Sequence, residues 1–217
     1  MLKEGKKEQI LEATKDVLLK KGIFKTRVED ITNYLGIAKG SFYTYFKSKG
    51  ELLEKIIDQV YDIRETELKE LLESNYDYRE QIKIFIMKRF VISSENLNSH
   101  LILINLTRNL EHLTPALREK LLKIEFLNRK FLKTIIKNIP NINYSEDEMN
   151  TIIIFIMGGI KSYRLERLFY KNTDDYFISD IDEFKEKLKN INLEKEVELV
   201  VSGILKLLIG GNYWKSY

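Results

Sequence analysis

The sequence predicts an all-α protein. Only two prolines, Pro115 and Pro140, occur in 217 residues, so long helices are permitted. Apolar residues recur at helical spacing along most of the chain. No stretch alternates apolar and polar with period two between turn signals, as a half-buried strand would.

Each element follows from local signals. The first helix is expected over about Lys6 to Lys21, with Ile10, Ala13, Val17 and Leu18 as its apolar stripe and Gly22 as its stop. A second begins at Thr26, where Thr26-Arg27-Val28-Glu29 fits a capping box and Val28, Ile31 and Leu35 face inward. Gly36 permits a tight turn, and a third helix runs from about Lys39 to Tyr45. Ser48 with Glu51 forms a second capping box, opening a long helix to about Glu73 with Leu52, Leu53, Ile56, Ile57, Val60 and Ile63 at helical spacing. Further helices are expected over about Tyr78–Ser94, Ser99–Leu110, Pro115–Asn138 (started by Thr114-Pro115), Ser145–Tyr170 (capped by Ser145 with Glu148) and Leu193–Ile209. A polar, aspartate-rich loop covers Asn172 to Asp182, and Gly210-Gly211 ends the last helix.

Composition narrows the function classes. There are no cysteines, which excludes disulfides, thiolate zinc sites and cysteine nucleophiles. His100 and His112 lie twelve apart with no clustered carboxylates, so no metal or other cofactor is expected. No P-loop, dinucleotide fingerprint or H-E-x-x-H occurs, so an enzyme is not expected. The charged start, MLKEGKKEQI, is unlike a secretory signal. The strongest apolar run, Thr151 to Ile160, is shorter than the roughly 20 residues a bilayer span needs. A soluble, cytoplasmic protein with no membrane partner is expected. Residues 1–50 hold eleven Lys/Arg against six Asp/Glu, whereas the other 167 hold 25 against 27. The basic surplus is therefore N-terminal, as a nucleic-acid footprint or a solvated lysine-rich surface.

The stretch from Thr26 to Leu52 combines a capped helix, a glycine turn, a short helix of small and hydroxyl residues, and a capped long helix. This is the layout of a helix-turn-helix, whose second helix enters the major groove. Lys39, Gly40, Ser41 and Thr44 would present a slim face to base edges, with Tyr43, Tyr45 and Lys49 as phosphate-seeking groups. The segment closely resembles the TetR/AcrR family of bacterial regulators. Its residues are Thr26, Asp30-Ile31, the run Gly36-Ile37-Ala38-Lys39-Gly40-Ser41-Phe42-Tyr43-Thr44-Tyr45-Phe46, then Lys49 and Leu52.

The resemblance implies a three-helix helix-turn-helix domain over residues 1–50. It also implies a larger helical domain for ligand binding and dimerisation over 51–217. Carried over by position, it places Lys39, Gly40, Ser41, Tyr43 and Thr44 in or beside the major groove. Tyr43, Tyr45 and Lys49 would touch phosphates, Thr26 and Arg27 would approach the DNA backbone, and Phe42 and Phe46 would be core. Two positions depart from the family. Ala38 stands where a serine or threonine would cap the reading helix, which forgoes about 1 kcal/mol, and Thr32 replaces a small alanine.

The same resemblance implies a homodimer on a near-palindromic double-stranded DNA operator and a small-molecule effector that releases it. An activator or a ligand-independent regulator of the same family is the alternative. Dimer contacts are expected from Ile152, Phe155, Ile156, Gly159, Ile160 and Tyr163 of one helix with Val197, Val200, Val201, Ile204, Leu205 and Leu208 of another. Gly158-Gly159 and Gly203 would permit close approach. Effector-pocket candidates are Phe90, Arg108, His112, Phe126, Phe155 and Tyr163, with Arg108 and His112 as polar anchors four residues apart.

Overall fold

A computed structural model describes residues 2–90, 96–166 and 193–209. Among these, every regular element is helical: α1 (Leu2–Lys21), α2 (Val28–Leu35), α3 (Lys39–Tyr43), α4 (Lys49–Glu73), α5 (Tyr78–Phe90), α6 (Leu97–Arg108), a 3₁₀ turn (Leu110–His112), α7 (Pro115–Lys137), α8 (Glu146–Leu165) and α9 (Leu193–Ile209). The expected helix end at Ser94, the extension to Tyr170, the Asn172–Asp182 loop and the Gly210-Gly211 stop lie outside the described residues.

The helix ends show which local signals act. Gly22 and Gly36 adopt φ of 93° and 62°, left-handed values that glycine tolerates without steric cost. Gly36 and Ile37 donate backward to Asn33 and Thr32 carbonyls, closing α2. The Ser145 box forms as expected: Ser145 accepts from the Glu148 amide at 3.3 Å, and Glu148 accepts from the Ser145 amide at 2.7 Å. Ser48 caps α4 through the Glu51 amide at 3.1 Å, but Glu51 reaches one residue further back, to the Lys47 amide at 2.7 Å. The Thr26 box does not form. Asp30 rather than Glu29 accepts from the Arg27 amide at 2.7 Å, so Arg27 is the cap position. An arginine side chain has no acceptor to return, so only half of the reciprocal arrangement exists.

The described residues fall into two compact units. The first joins residues 2–65 to 96–125 and therefore extends beyond the N-terminal fifty residues. Its core gathers Ile10, Leu18, Ile31, Phe42, Phe46, Leu52, Ile56 and Ile57 with Ile102 and Leu106 of α6. The Asn98 side chain donates to Asp16 at 2.7 Å, tying α6 to α1. Ile63, the last of the apolar series on α4, is 40% exposed.

The second unit comprises residues 66–90, 126–166 and 193–209. Phe85 and Phe131 stack at 4.9 Å in its core, among Ile82, Ile86, Ile135, Ile153 and Val201. The buried Arg89 lies 3.2 Å from the Phe85 ring centre and donates to the Phe85 carbonyl and the Asn128 side chain. The ring face and these acceptors offset part of the cost of taking its charge out of water.

Candidate nucleic-acid interface

Helix α3 is held from beneath by two aromatic rings. Phe42 and Phe46 are 0% and 1% exposed, and their ring centres lie 5.7 Å apart. Burying them turns the intervening and preceding residues outward. Gly40, Ser41 and Thr44 are exposed, and Tyr43 is 48% exposed with its ring set edge-on to Phe42. Tyr45 is half-buried and packs against the core.

Helix α3 ends at Tyr43, two residues sooner than expected. The Thr44 amide and hydroxyl both bond to the Gly40 carbonyl, which consumes part of the hydroxyl's capacity. Ala38 supplies no side-chain cap to α3, as its methyl group requires. The departure at Thr32 is absorbed locally, because its hydroxyl donates to the Glu29 carbonyl at 3.1 Å.

Charged groups organise the entry to this element. Arg27 is exposed at the start of α2. Lys39, the first residue of α3, donates to the Glu29 carboxylate of α2. That hydrogen bond, reinforced by charge attraction, lowers the Glu29 pKa and raises that of Lys39. Asp30 is held by Lys21 and by the Arg27 amide, and both lower its pKa.

Two expected contacts are placed differently. Thr26 is 1% exposed, and its hydroxyl donates to the Gly22 carbonyl at 2.8 Å. It therefore supports the loop before α2 and presents no surface. The Lys49 ammonium donates to the carbonyls of Ile23 and Thr26 at 3.0 and 2.8 Å, with a longer bond to Phe24 at 3.4 Å. Partial burial lowers its pKa. It is a clasp on the loop between α1 and α2, not a free phosphate clamp. The loop carbonyls left over by the turn at Gly22 explain this, since unpaired acceptors attract a cation. Lys47 and Tyr34 are also exposed on this segment. For Tyr34 the sequence carries the signal: Val28, Ile31 and Leu35 face inward, which turns it outward.

The effector-pocket candidates are divided between the two units. Arg108 and His112 are exposed in the first unit, where His112 meets Phe24 edge-on at 5.6 Å. Phe126 and Phe155 are 65% and 69% exposed in the second. Within the second unit Phe90 and Tyr163 meet, at 5.7 Å, and the Tyr163 hydroxyl donates to the buried Glu196. Helical spacing marks an apolar stripe without saying whether it faces a core or solvent. Among the described residues, no group of three potential ligands could hold a metal ion, and no helix is long and apolar enough to cross a membrane.

Comparison with known proteins bears on this geometry. The sequence pattern of "Bacterial regulatory proteins, tetR family" matches residues 10–56, the segment containing α2, α3 and their aromatic support. An uncharacterized HTH-type transcriptional regulator, YvdT of Bacillus subtilis, is 33% identical over 92 residues, 42% of this chain and 47% of its own. The HTH-type transcriptional regulator TtgR of Pseudomonas putida is 32% identical over 54 residues, 25% of this chain and 26% of its own. The matched stretches thus span about half or less of these relatives. Over nearly the whole chain, the fold is similar to two solved regulators. FadR from Bacillus subtilis, solved in complex with stearoyl-CoA, has a TM-score of 0.62 at 18% identity, covering 91% of this chain and 96% of that one. MbdR from Azoarcus sp. CIB has a TM-score of 0.67 at 14% identity, covering 91% and 96%. The helix-turn-helix segment, residues 10–56, is thus similar in sequence to the tetR family of bacterial regulatory proteins, and the all-helical fold is similar to these solved regulators over 91% of the chain.

Proposed function

We propose that this chain is a homodimeric, sequence-specific transcriptional regulator that represses from a near-palindromic operator and is released by a small-molecule effector. One observation carries the DNA-binding part. Gly40, Ser41, Tyr43 and Thr44 form an exposed face over the buried Phe42 and Phe46, directly after a glycine-closed helix. A face with only one large side chain can approach base edges, while Tyr43, Arg27 and Lys47 supply phosphate partners.

The dimer reading is supported by the outer face of the second unit. Ile154 and Phe155 of α8 are 53% and 69% exposed, and Leu199 and Leu207 of α9 are 57% and 49% exposed. Gly158, Gly159 and Gly203 are exposed beside them. Several residues expected at this face instead fill the unit's own core: Ile156, Ile160, Val197, Val201, Ile204 and Leu208. The face is therefore rotated from the one expected, with Phe155 and Gly159 retained. Two such faces could pair as a four-helix bundle about a two-fold axis.

Effector release would work by population shift, with the ligand binding more tightly to a state whose two reading heads are wrongly spaced. FadR, with its bound stearoyl-CoA, supports a ligand-responsive reading here by analogy. Equilibrium binding of the full chain to a pool of random duplexes, with sequencing of the retained fraction, tests the proposal. An enriched near-palindrome with half-sites about one helical turn apart is expected. Retention of no duplex at low salt would refute it.

A further inference from the structure

Glu29 and Lys39 lie across the turn of the reading element, and their pairing is not forced by burial. Each side chain is about half exposed, at 52% and 53%. An exposed pair of this kind contributes little to stability, so its placement at the first residue of α3 calls for another role. The neighbouring carboxylate is already committed, because Asp30 is held by Lys21 and the Arg27 amide. Glu29 is therefore the acidic group available to Lys39, and its place in the first turn of α2 favours its negative charge.

An unrestrained lysine is a compact charge on a flexible stem and will seek any phosphate. Phosphate contacts carry no sequence information. An ammonium bonded to Glu29 keeps two donors but loses most of its pull on phosphates and much of its reach. Those donors suit neutral acceptors such as guanine O6 and N7.

We propose that Glu29 is a specificity-determining residue, whose carboxylate withholds Lys39 from phosphates and reserves it for a base edge. The proposal rests on the DNA-binding reading above. The test uses the full chain and its Glu29→Gln, Lys39→Ala and double variants, on one duplex of random sequence and one selected by the unaltered protein. E29Q is expected to bind the random duplex several-fold more tightly at low salt. Between 50 and 200 mM salt it should lose about 3.5-fold more affinity per reading head than the unaltered protein, the cost of one added phosphate contact. Its preference for the selected duplex should fall about tenfold. In the Lys39→Ala background, Glu29→Gln should change nothing, and Lys39→Ala alone should weaken only the selected duplex.

Unchanged affinity and salt dependence in E29Q would overturn the proposal. So would a gain that persists in the double variant, since Glu29 would then act by repelling DNA itself. Retention of no duplex by the unaltered protein in the selection itself would remove the DNA-binding reading as well, which separates the two failures.

Discussion

Replacing Lys49 with methionine keeps the aliphatic stem and removes the ammonium. Three carbonyls, those of Ile23, Phe24 and Thr26, then lose their shared donor. Hydrogen bonds to a charged group contribute roughly 1.5–3 kcal/mol each when shielded from water. Two of these bonds are short and the third is long. The site is only partly shielded, so water recovers some of the loss. The net cost of Lys49→Met is about 1–2 kcal/mol, or about 2–8 °C in melting temperature for a chain of this size. Urea unfolding followed by circular dichroism measures the stability, and fluorescence anisotropy against salt measures DNA binding. The clasp predicts lower stability, faster exchange of the Thr26 amide, which donates to Gly22 at 3.0 Å, and an unchanged salt slope. Unchanged stability with a slope reduced by about 0.9, the signature of one lost phosphate contact, would refute the clasp and restore Lys49 as a phosphate ligand.

Other outcomes follow from the same structure. Phe42→Ala empties a fully buried ring site and should cost about 3–5 kcal/mol in unfolding experiments, abolishing DNA binding through loss of fold. Tyr43→Ala removes an exposed ring, so stability should change by less than about 1 kcal/mol, while affinity falls about tenfold on every duplex. Asp30 has a native pKa lowered below its ordinary 3.8 by Lys21 and the Arg27 amide. Its stabilising effect is complete above the ordinary value and is lost as pH falls through the lowered native one. Asp30→Asn should therefore flatten the acid limb of a stability profile measured from pH 6 downward. Phe155→Glu places a charge on the proposed pairing face and should yield monomers by sedimentation, with the helical content unchanged.

The elements were legible where a local signal acts alone. Ser145 with Glu148, Thr114 before Pro115, and glycines at 22 and 36 each dictate a helix boundary through backbone chemistry. All of them appear where expected. The inward placing of Phe42 and Phe46 was equally legible, because the motif sets the two large rings four residues apart, one on α3 and one in the turn that follows it. Contacts between distant segments were not. Lys49 is 26 residues from Ile23, and no spacing reveals that a surface lysine will turn back onto loop carbonyls. Thr26 misled for a related reason. Its hydroxyl could cap α2 forward or bond backward to Gly22, and the left-handed turn at Gly22 brings the backward acceptor within 2.8 Å. The exposure of Phe126 and Phe155 has a different cause. Apolar and polar stripes at helical spacing are common to cores, dimer faces and pockets, and only the packing separates them.

The central claim is that the exposed face of α3 lies in the major groove. The chain contains no cysteine, so Ser41→Cys, at an exposed position, can carry a single DNA-cleaving iron chelate. On the duplex enriched by the unaltered protein, the labelled variant should cut in two clusters about 34–36 Å apart, one for each reading head. Cutting no greater than that of unlabelled protein, or spread evenly along the bound duplex, would contradict the account.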